Sequence, residues 1–236
     1  MLNAIFFDLD GTLLPLDNDT FTKVYFNELA KTAYTWGYTD PDALIKGVWY
    51  GVKCMYRNDG TLKNEEVFWK SFSEAMGRDC SEDQKRFDSF YRKEFSKVSA
   101  ATLPAPLARE VIKTAHEKAK KVILATNPIF PKEAYEERLS WIGLEASDFD
   151  MITDYSISHF TKPSPLYYRE IMRHFDLSPE EVLMFGNDVR EDMIPALSLG
   201  MKFFLQNEYV LNKDEAEITT PQGNYEEMLQ FLKNLP

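Results

Sequence analysis

Five short apolar runs constrain this chain more than any other feature. Ala4–Phe7, Val122–Ala125, Phe149–Ile152 and Val182–Phe185 each stop at a polar or glycine-containing turn, and Lys202–Leu205 follows Gly200. The runs are rich in Ile, Val and Phe and lack polar alternation, which suits strands buried on both faces. Amphipathic stretches of helical length separate most of them. Strands alternating with helices predict an α/β fold built on a doubly wound parallel sheet.

One interval breaks the rhythm. From about Asp17 to Leu103 no clear strand is legible, and four helices are expected at about Asp19–Trp36, Pro41–Arg57, Asn64–Met76 and Glu82–Lys97. Gly37 and Gly77 mark helix ends, and Asp40-Pro41 and Ser81 mark starts. The chain therefore divides into a sheet domain, residues 1–16 and 104–236, and a helical insert, residues 17–103, with Leu103-Pro104-Ala105-Pro106 as the returning linker. The insert holds 16 of the 33 aromatic residues. A small bundle needs such large side chains to bury enough area, and core packing is preferred over a substrate pocket as their role. Gly47 and Gly51, four apart, suit a close helix approach, and the flanking Lys46, Lys53 and Arg57 rule out a membrane dimer motif.

Charge and composition exclude several functions. Acidic residues outnumber basic ones 38 to 27, for a net charge of −11. Such a surface repels nucleic-acid backbones and anionic membranes. No run of about 18 apolar residues exists to span a bilayer. Cys54 and Cys80 have neither metal-site spacing nor the makings of a disulfide framework, so both are read as reduced thiols. The N-terminal apolar run has no charged region before it and is too short for a signal peptide. A cytoplasmic protein, monomeric or homodimeric, is the expectation.

The chemistry concentrates at the strand ends. Asp8-Leu9-Asp10-Gly11-Thr12-Leu13 directly follows the first run, at the sheet edge where doubly wound folds bind ligands. Two carboxylates two residues apart can both face that edge once Gly11 turns the chain. One can attack while its neighbour moves a proton. A calcium loop also begins Asp-x-Asp, but here the glycine is misplaced, no Glu closes twelve residues, and the flank is a strand. Thr126-Asn127-Pro128 ends the next run, where a hydroxyl and backbone N–H groups can hold a phosphate oxygen; an ordinary turn is the plainer reading. Lys162 precedes Ser164 and Pro165, which read as the cap and first residue of a helix. By itself it reads as a solvated surface lysine. In Gly186-Asn187-Asp188-Val189-Arg190-Glu191-Asp192, Asp188 and Asp192 share a face if helical. Asp188 also reads as a cap with Glu191 closing a box, and Pro195 requires the helix to begin later or bend.

Electrostatics links these segments. Asp8, Asp10, Asp188 and Asp192 at one edge repel one another by roughly 4 kcal/mol per pair at about 4 Å and an effective dielectric near 20. Such a cluster cannot also admit a phosphate dianion unaided. Mg²⁺, which pairs one or two carboxylates with substrate phosphate, resolves the conflict. Lys162 adds further positive charge beside the transferring group.

The ordered set Asp8, Asp10, Gly11 and Thr12, then Thr126, then Lys162, then Gly186 with Asp188 and Asp192, resembles the haloacid dehalogenase superfamily. The resemblance covers the sheet domain and implies a Rossmann-like core. The helical insert resembles that family's C1-type cap, and the interval from Lys162 to Gly186 is too short for a second cap. It further implies that Asp8 forms an aspartyl-phosphate, that Asp10 protonates the leaving oxygen and then activates water, and that Thr126 and Lys162 hold the phosphoryl group, beside the Asn127 expected there from its own turn. Mg²⁺ would be held by the Asp8 side chain, the Asp10 carbonyl and the acidic pair. Many members have Gly-Asp where this chain has Gly186-Asn187. Either Asn187 takes the direct-ligand place, with one negative charge fewer, or Asp188 does; Asp188 is favoured, with Asn187 nearby. True dehalogenases lack an acid at the Asp10 position, so a phosphatase of a small phosphorylated metabolite is expected. A phosphomutase with the same nucleophile and a non-catalytic phosphate-binding relic are the alternatives. His116, His159 and His174 sit in no ligand pattern, and Lys23, Lys53 and Arg57 read as a solvated helix face.

Overall fold

The computed structural model describes residues 2–236. Its centre is a six-stranded, wholly parallel sheet: β1 Leu2–Phe7, β2 Ala119–Leu124, β3 Met151–Ile152, β4 Val182–Gly186, β5 Lys202–Gln206 and β6 Gln222–Gly223. The strand order is β3-β2-β1-β4-β5-β6. Phe7 lies opposite Leu124 on one side and Phe185 on the other. Along β1 the pleat sends Ile5 and Phe7 into one core and Ala4 and Phe6 into the other. This is why the strand reads as an unbroken apolar run rather than an alternating one. The direction of winding reverses between β1 and β4, so a crevice opens at their carboxyl ends.

Five helices flank the sheet: α5 Ala108–Lys118, α6 Lys132–Trp141, α7 Pro165–His174, α8 Ile194–Ser198 and α9 Tyr225–Lys233. Four precede them: α1 Asn18–Tyr34, α2 Pro41–Met55, α3 Asn64–Met76 and α4 Gln84–Lys93. Helix starts follow the expected chemistry. Asp40 accepts the Ala43 N–H at 3.0 Å with Pro41 behind it, and Ser164 accepts the Leu166 N–H with Pro165 behind it. The outgoing and returning chains run side by side, with the Leu103 N–H bonded to the Pro15 carbonyl at 2.9 Å. Among the described residues no helix is long and apolar enough to cross a membrane.

Three local expectations need correction. The helix read over Glu82–Lys97 is broken. It is a 3₁₀ turn at Ser81–Asp83, then α4, then a 3₁₀ segment over Phe95–Ala101. In a 3₁₀ helix residues three apart stack on one side, and here that places Phe95 and Val98 together in the core, both fully buried. The Phe149–Ile152 run contributes only two residues to the sheet, Met151 and Ile152; just before them the Asp150 carboxylate, not a backbone carbonyl, accepts the Val122 N–H of β2 at 2.9 Å. Glu191 closes no box on Asp188; its carboxylate turns instead to Tyr56 and Asn127. The close-approach reading of Gly47 and Gly51 holds. A Cβ on Gly47 would meet the Met76 sulfur at 2.9 Å, and one on Gly51 the Phe68 ring at 2.7 Å.

Candidate active site

The end of β1 continues its ladder for one more residue, the Asp8 N–H bonding to the Phe185 carbonyl at 2.8 Å. The chain then folds back. Thr12 and Leu14 both donate backbone N–H groups to the Leu9 carbonyl, and Leu9, Leu13 and Leu14 are fully buried. Three leucines driven into the core therefore fix the turn that presents Asp8 and Asp10. Gly11 sits at φ +81°, and a Cβ there would lie 2.2 Å from the Asn187 side-chain nitrogen. Only glycine allows β1 and β4 to present their loops this closely.

Lys162 is the hub. Its ammonium donates to Asp8 Oδ1 at 2.7 Å and to Asp192 Oδ1 at 2.6 Å, and the residue is 1 % exposed. The solvated-lysine reading is therefore wrong: α7 and its cap bring Lys162 beneath the carboxylates. Two acids share one cation. Burial pushes the Asp8 carboxyl up to about 8; Lys162 opposes this, while Asp192 and Asp10 add to it. Burial also works against the Lys162 charge, but Asp192 and Asp8 outweigh it and hold the ammonium well above its usual range.

The loop after β4 is a π-helical turn over Val189–Met193, with Pro195 in the first turn of α8. The helix thus begins late, as the proline requires. Asp188 Oδ1 caps the Arg190 and Glu191 N–H groups, both at 2.8 Å. Asp192 is enclosed: Oδ1 meets Lys162 and Tyr168, and Oδ2 accepts the Asp188 N–H at 3.1 Å. Asn187 spends Nδ2 on the Tyr209 carbonyl and Oδ1 on the Thr12 hydroxyl.

The eight residues expected to catalyse, bind phosphate or hold metal line one cavity of about 380 Å³: Asp8, Asp10, Thr126, Asn127, Lys162, Asn187, Asp188 and Asp192. They differ in what remains free. The Thr126 carbonyl accepts from Thr153 and Tyr167, which fixes the strand end that carries its hydroxyl. Asn127 is fully engaged, its Oδ1 taking the Lys162 N–H and its Nδ2 donating to Tyr56 and Glu191. Its side chain ties loops together, leaving the backbone for a ligand. Burial, then Asp188, pushes the Glu191 carboxyl up to about 7.

Sequence reasoning missed Arg138. Its guanidinium is fully buried, pairs through Nη1 with Asp10 Oδ2, and lies over the Phe130 and Tyr135 rings at 4.7 and 4.6 Å. Asp10 Oδ1 has no hydrogen-bond partner among the described residues. A signal was present: on α6 the buried positions are Ala134, Tyr135, Arg138 and Leu139. An arginine on the apolar stripe of a helix has a partner inside.

The donor set suits a hard divalent ion. Asp8 and Asp188 supply carboxylate oxygens at the crevice, with burial raising both above the usual carboxylate range. Among the described residues no three His, Cys, Asp or Glu side chains form a self-sufficient cage. Mg²⁺, which keeps waters and takes substrate oxygens, fits such a site; a structural zinc does not. A stability measurement checks this. The folded state binds the Asp8 proton more tightly than the unfolded chain does, so that group favours folding most below about pH 4 and progressively less up to about pH 8. In EDTA, the thermal midpoint of the wild-type protein should fall relative to Asp8→Asn as pH rises from 4.5 to 8.5. Added Mg²⁺ should raise the wild-type midpoint more at pH 8 than at pH 5. A midpoint difference flat with pH would contradict the shared-cation electrostatics.

Comparison with known proteins bears on the same architecture. No curated protein sequence matches the chain. Solved structures do. A magnesium-bound HAD-family structure from Bacillus subtilis superposes with a TM-score of 0.60 at 17% identity, covering 98% of this chain and 99% of that one. A HAD phosphatase from Thermococcus onnurineus gives 0.58 at 17% identity, covering 99% of each. A 2-haloacid dehalogenase from Pseudomonas syringae pv. Tomato DC3000 gives 0.63 at 17% identity, covering 99% and 98%. At these identities the likeness speaks for the fold. The sequence profile of one family, described as haloacid dehalogenase-like hydrolase, matches residues 2–200. This chain, with its parallel sheet and its acids at the strand ends, belongs to the haloacid dehalogenase-like hydrolases.

Proposed function

We propose that the chain is a Mg²⁺-dependent phosphatase that hydrolyses a small phosphorylated metabolite through an aspartyl-phosphate on Asp8. One observation carries this reading: a second carboxylate, Asp10, lines the cavity that holds the Asp8–Lys162 pair, two residues along the same turn from Asp8. An Asp8 oxygen attacks phosphorus and the ester P–O bond breaks. The departing oxygen takes a proton from Asp10. Water, giving its proton to Asp10, then attacks phosphorus. The bond to Asp8 breaks, and inorganic phosphate leaves with the nucleophile restored. The Thr126 hydroxyl, the Asn127 N–H and the Lys162 ammonium hold the phosphoryl oxygens.

Asp8, the Asp10 carbonyl and Asp188 would hold Mg²⁺, with Asn187 beside them; when bound, the ion neutralises charge on the transferring group. Asp192 serves by fixing Lys162. Residues 17–103 act as the cap over residues 1–16 and 104–236. The unpaired thiols of Cys54 and Cys80 accord with a cytoplasmic location.

Phosphate release from a panel of phosphorylated metabolites, with Mg²⁺ and again with EDTA, tests the reading. Release that needs Mg²⁺ is the expected result. Isomer formation from hexose phosphates without net release would replace the phosphatase with a phosphomutase. Inactivity on the whole panel would leave a phosphate-binding relic.

A further inference from the structure

We propose that the group esterified to the phosphate is uncharged and ring-bearing: the substrate is an aryl or arylmethyl phosphate, or a monoester of that shape. The proposal rests on the phosphatase reading and adds the identity of the leaving group. Its first support is the chemistry of the cavity walls. Eleven of the 28 residues lining the cavity are aromatic, among them Phe21, Trp49, Phe68, Trp69, Phe87 and Tyr91. Such walls bind flat apolar surface and offer little to a polyol, whose hydroxyls would each need a partner.

The second support is charge. Five carboxylates line the cavity, from Asp8, Asp10, Asp188, Glu191 and Asp192, against two cations, Lys162 and Lys213. Lys162 is committed to Asp8 and Asp192, and Lys213 is exposed on the loop after β5. Arg138 does not line the cavity; it lies behind Asp10. A second anionic group on the substrate would therefore enter a largely apolar enclosure already lined by acidic side chains, with no uncommitted buried cation among the described residues to receive it. The third support is size, since about 380 Å³ holds a phosphoryl group and a small ring system.

Binding and turnover together test the proposal. Benzylphosphonate and phosphonoacetate, neither of which can be hydrolysed, are titrated calorimetrically into the full protein with Mg²⁺. Benzylphosphonate should bind about tenfold to a hundredfold more tightly, the range expected for burying one phenyl ring. Trp49→Ala, at a half-exposed position that tolerates truncation, and Trp69→Ala should each shrink that preference severalfold. Neither should shift phosphonoacetate affinity by more than about twofold. Turnover of benzyl phosphate is compared with that of phosphoglycolate and glycerol 3-phosphate, whose leaving alcohols are similarly basic, so kcat/KM reports the cavity. Equal or tighter binding of phosphonoacetate, or no binding of benzylphosphonate, overturns the proposal. Indiscriminate hydrolysis of all three esters also overturns it but leaves the phosphatase reading intact. A benzyl preference in binding with no hydrolysis supports the cavity assignment and sinks the phosphatase reading.

Discussion

Asp8→Asn is expected to lower phosphate release by about 10⁴-fold or more while the protein stays folded. The amide is nearly the same size but cannot attack phosphorus, so the covalent route closes. The fold survives because Lys162 keeps Asp192 at 2.6 Å, and removing one of two acids on a single ammonium relieves repulsion instead of stranding a charge. Steady-state phosphate release and a thermal melt on the same preparation check both halves. Near-normal turnover would end the covalent mechanism. A collapsed melting curve would show that Lys162 depends on Asp8 more than on Asp192.

Arg138→Met should produce the opposite pattern, hurting stability and turnover together. The guanidinium is fully buried while Asp10 is 27% exposed, so the variant leaves a carboxylate with partial access to cavity water. Breaking a buried pair at one end costs about 3 kcal/mol or more. For a chain of this length that is a drop of about 6–12 °C in thermal midpoint. The lost stacking on Phe130 and Tyr135 adds to it. Turnover should fall by about 10²-fold, because a free Asp10 no longer waits at the leaving oxygen. Combining Arg138→Met with Asp10→Asn separates the effects. If the pair is the cause, the double variant should be more stable than the two single losses add up to, by about 1–3 kcal/mol. Strict additivity would show that Arg138 acts through packing alone.

Much of this was legible in the sequence because backbone burial leaves a compositional trace. Strands β1, β2, β4 and β5 lie between two apolar layers, and each reads as an apolar run. The edge strand β6 is only Gln222–Gly223, held by backbone pairing, and leaves no such trace. Asp8, Thr126 and Asp188 were recognisable because each follows a strand, and parallel strands carry their ends to one edge. Lys162 was harder to place. Its position depends on how α7 docks beneath the sheet edge, which is tertiary information. The Asn127 backbone N–H is legible as a phosphate donor because it follows a strand end, but its side-chain role is not, since the loops it joins are far apart in sequence. The aromatics of residues 17–103 were read as packing. Many do pack, but Phe21, Trp49, Phe68 and others also line the cavity, and composition cannot separate the two faces.

Across generations the Arg138–Asp10 pair works as a ratchet. A lineage that loses the acid at position 10 alone strands a fully buried guanidinium and loses fold stability, whereas loss of position 138 alone leaves a carboxylate that cavity water can still reach. Descendants of this chain that abandon the acid at position 10 are expected to carry an uncharged residue at position 138.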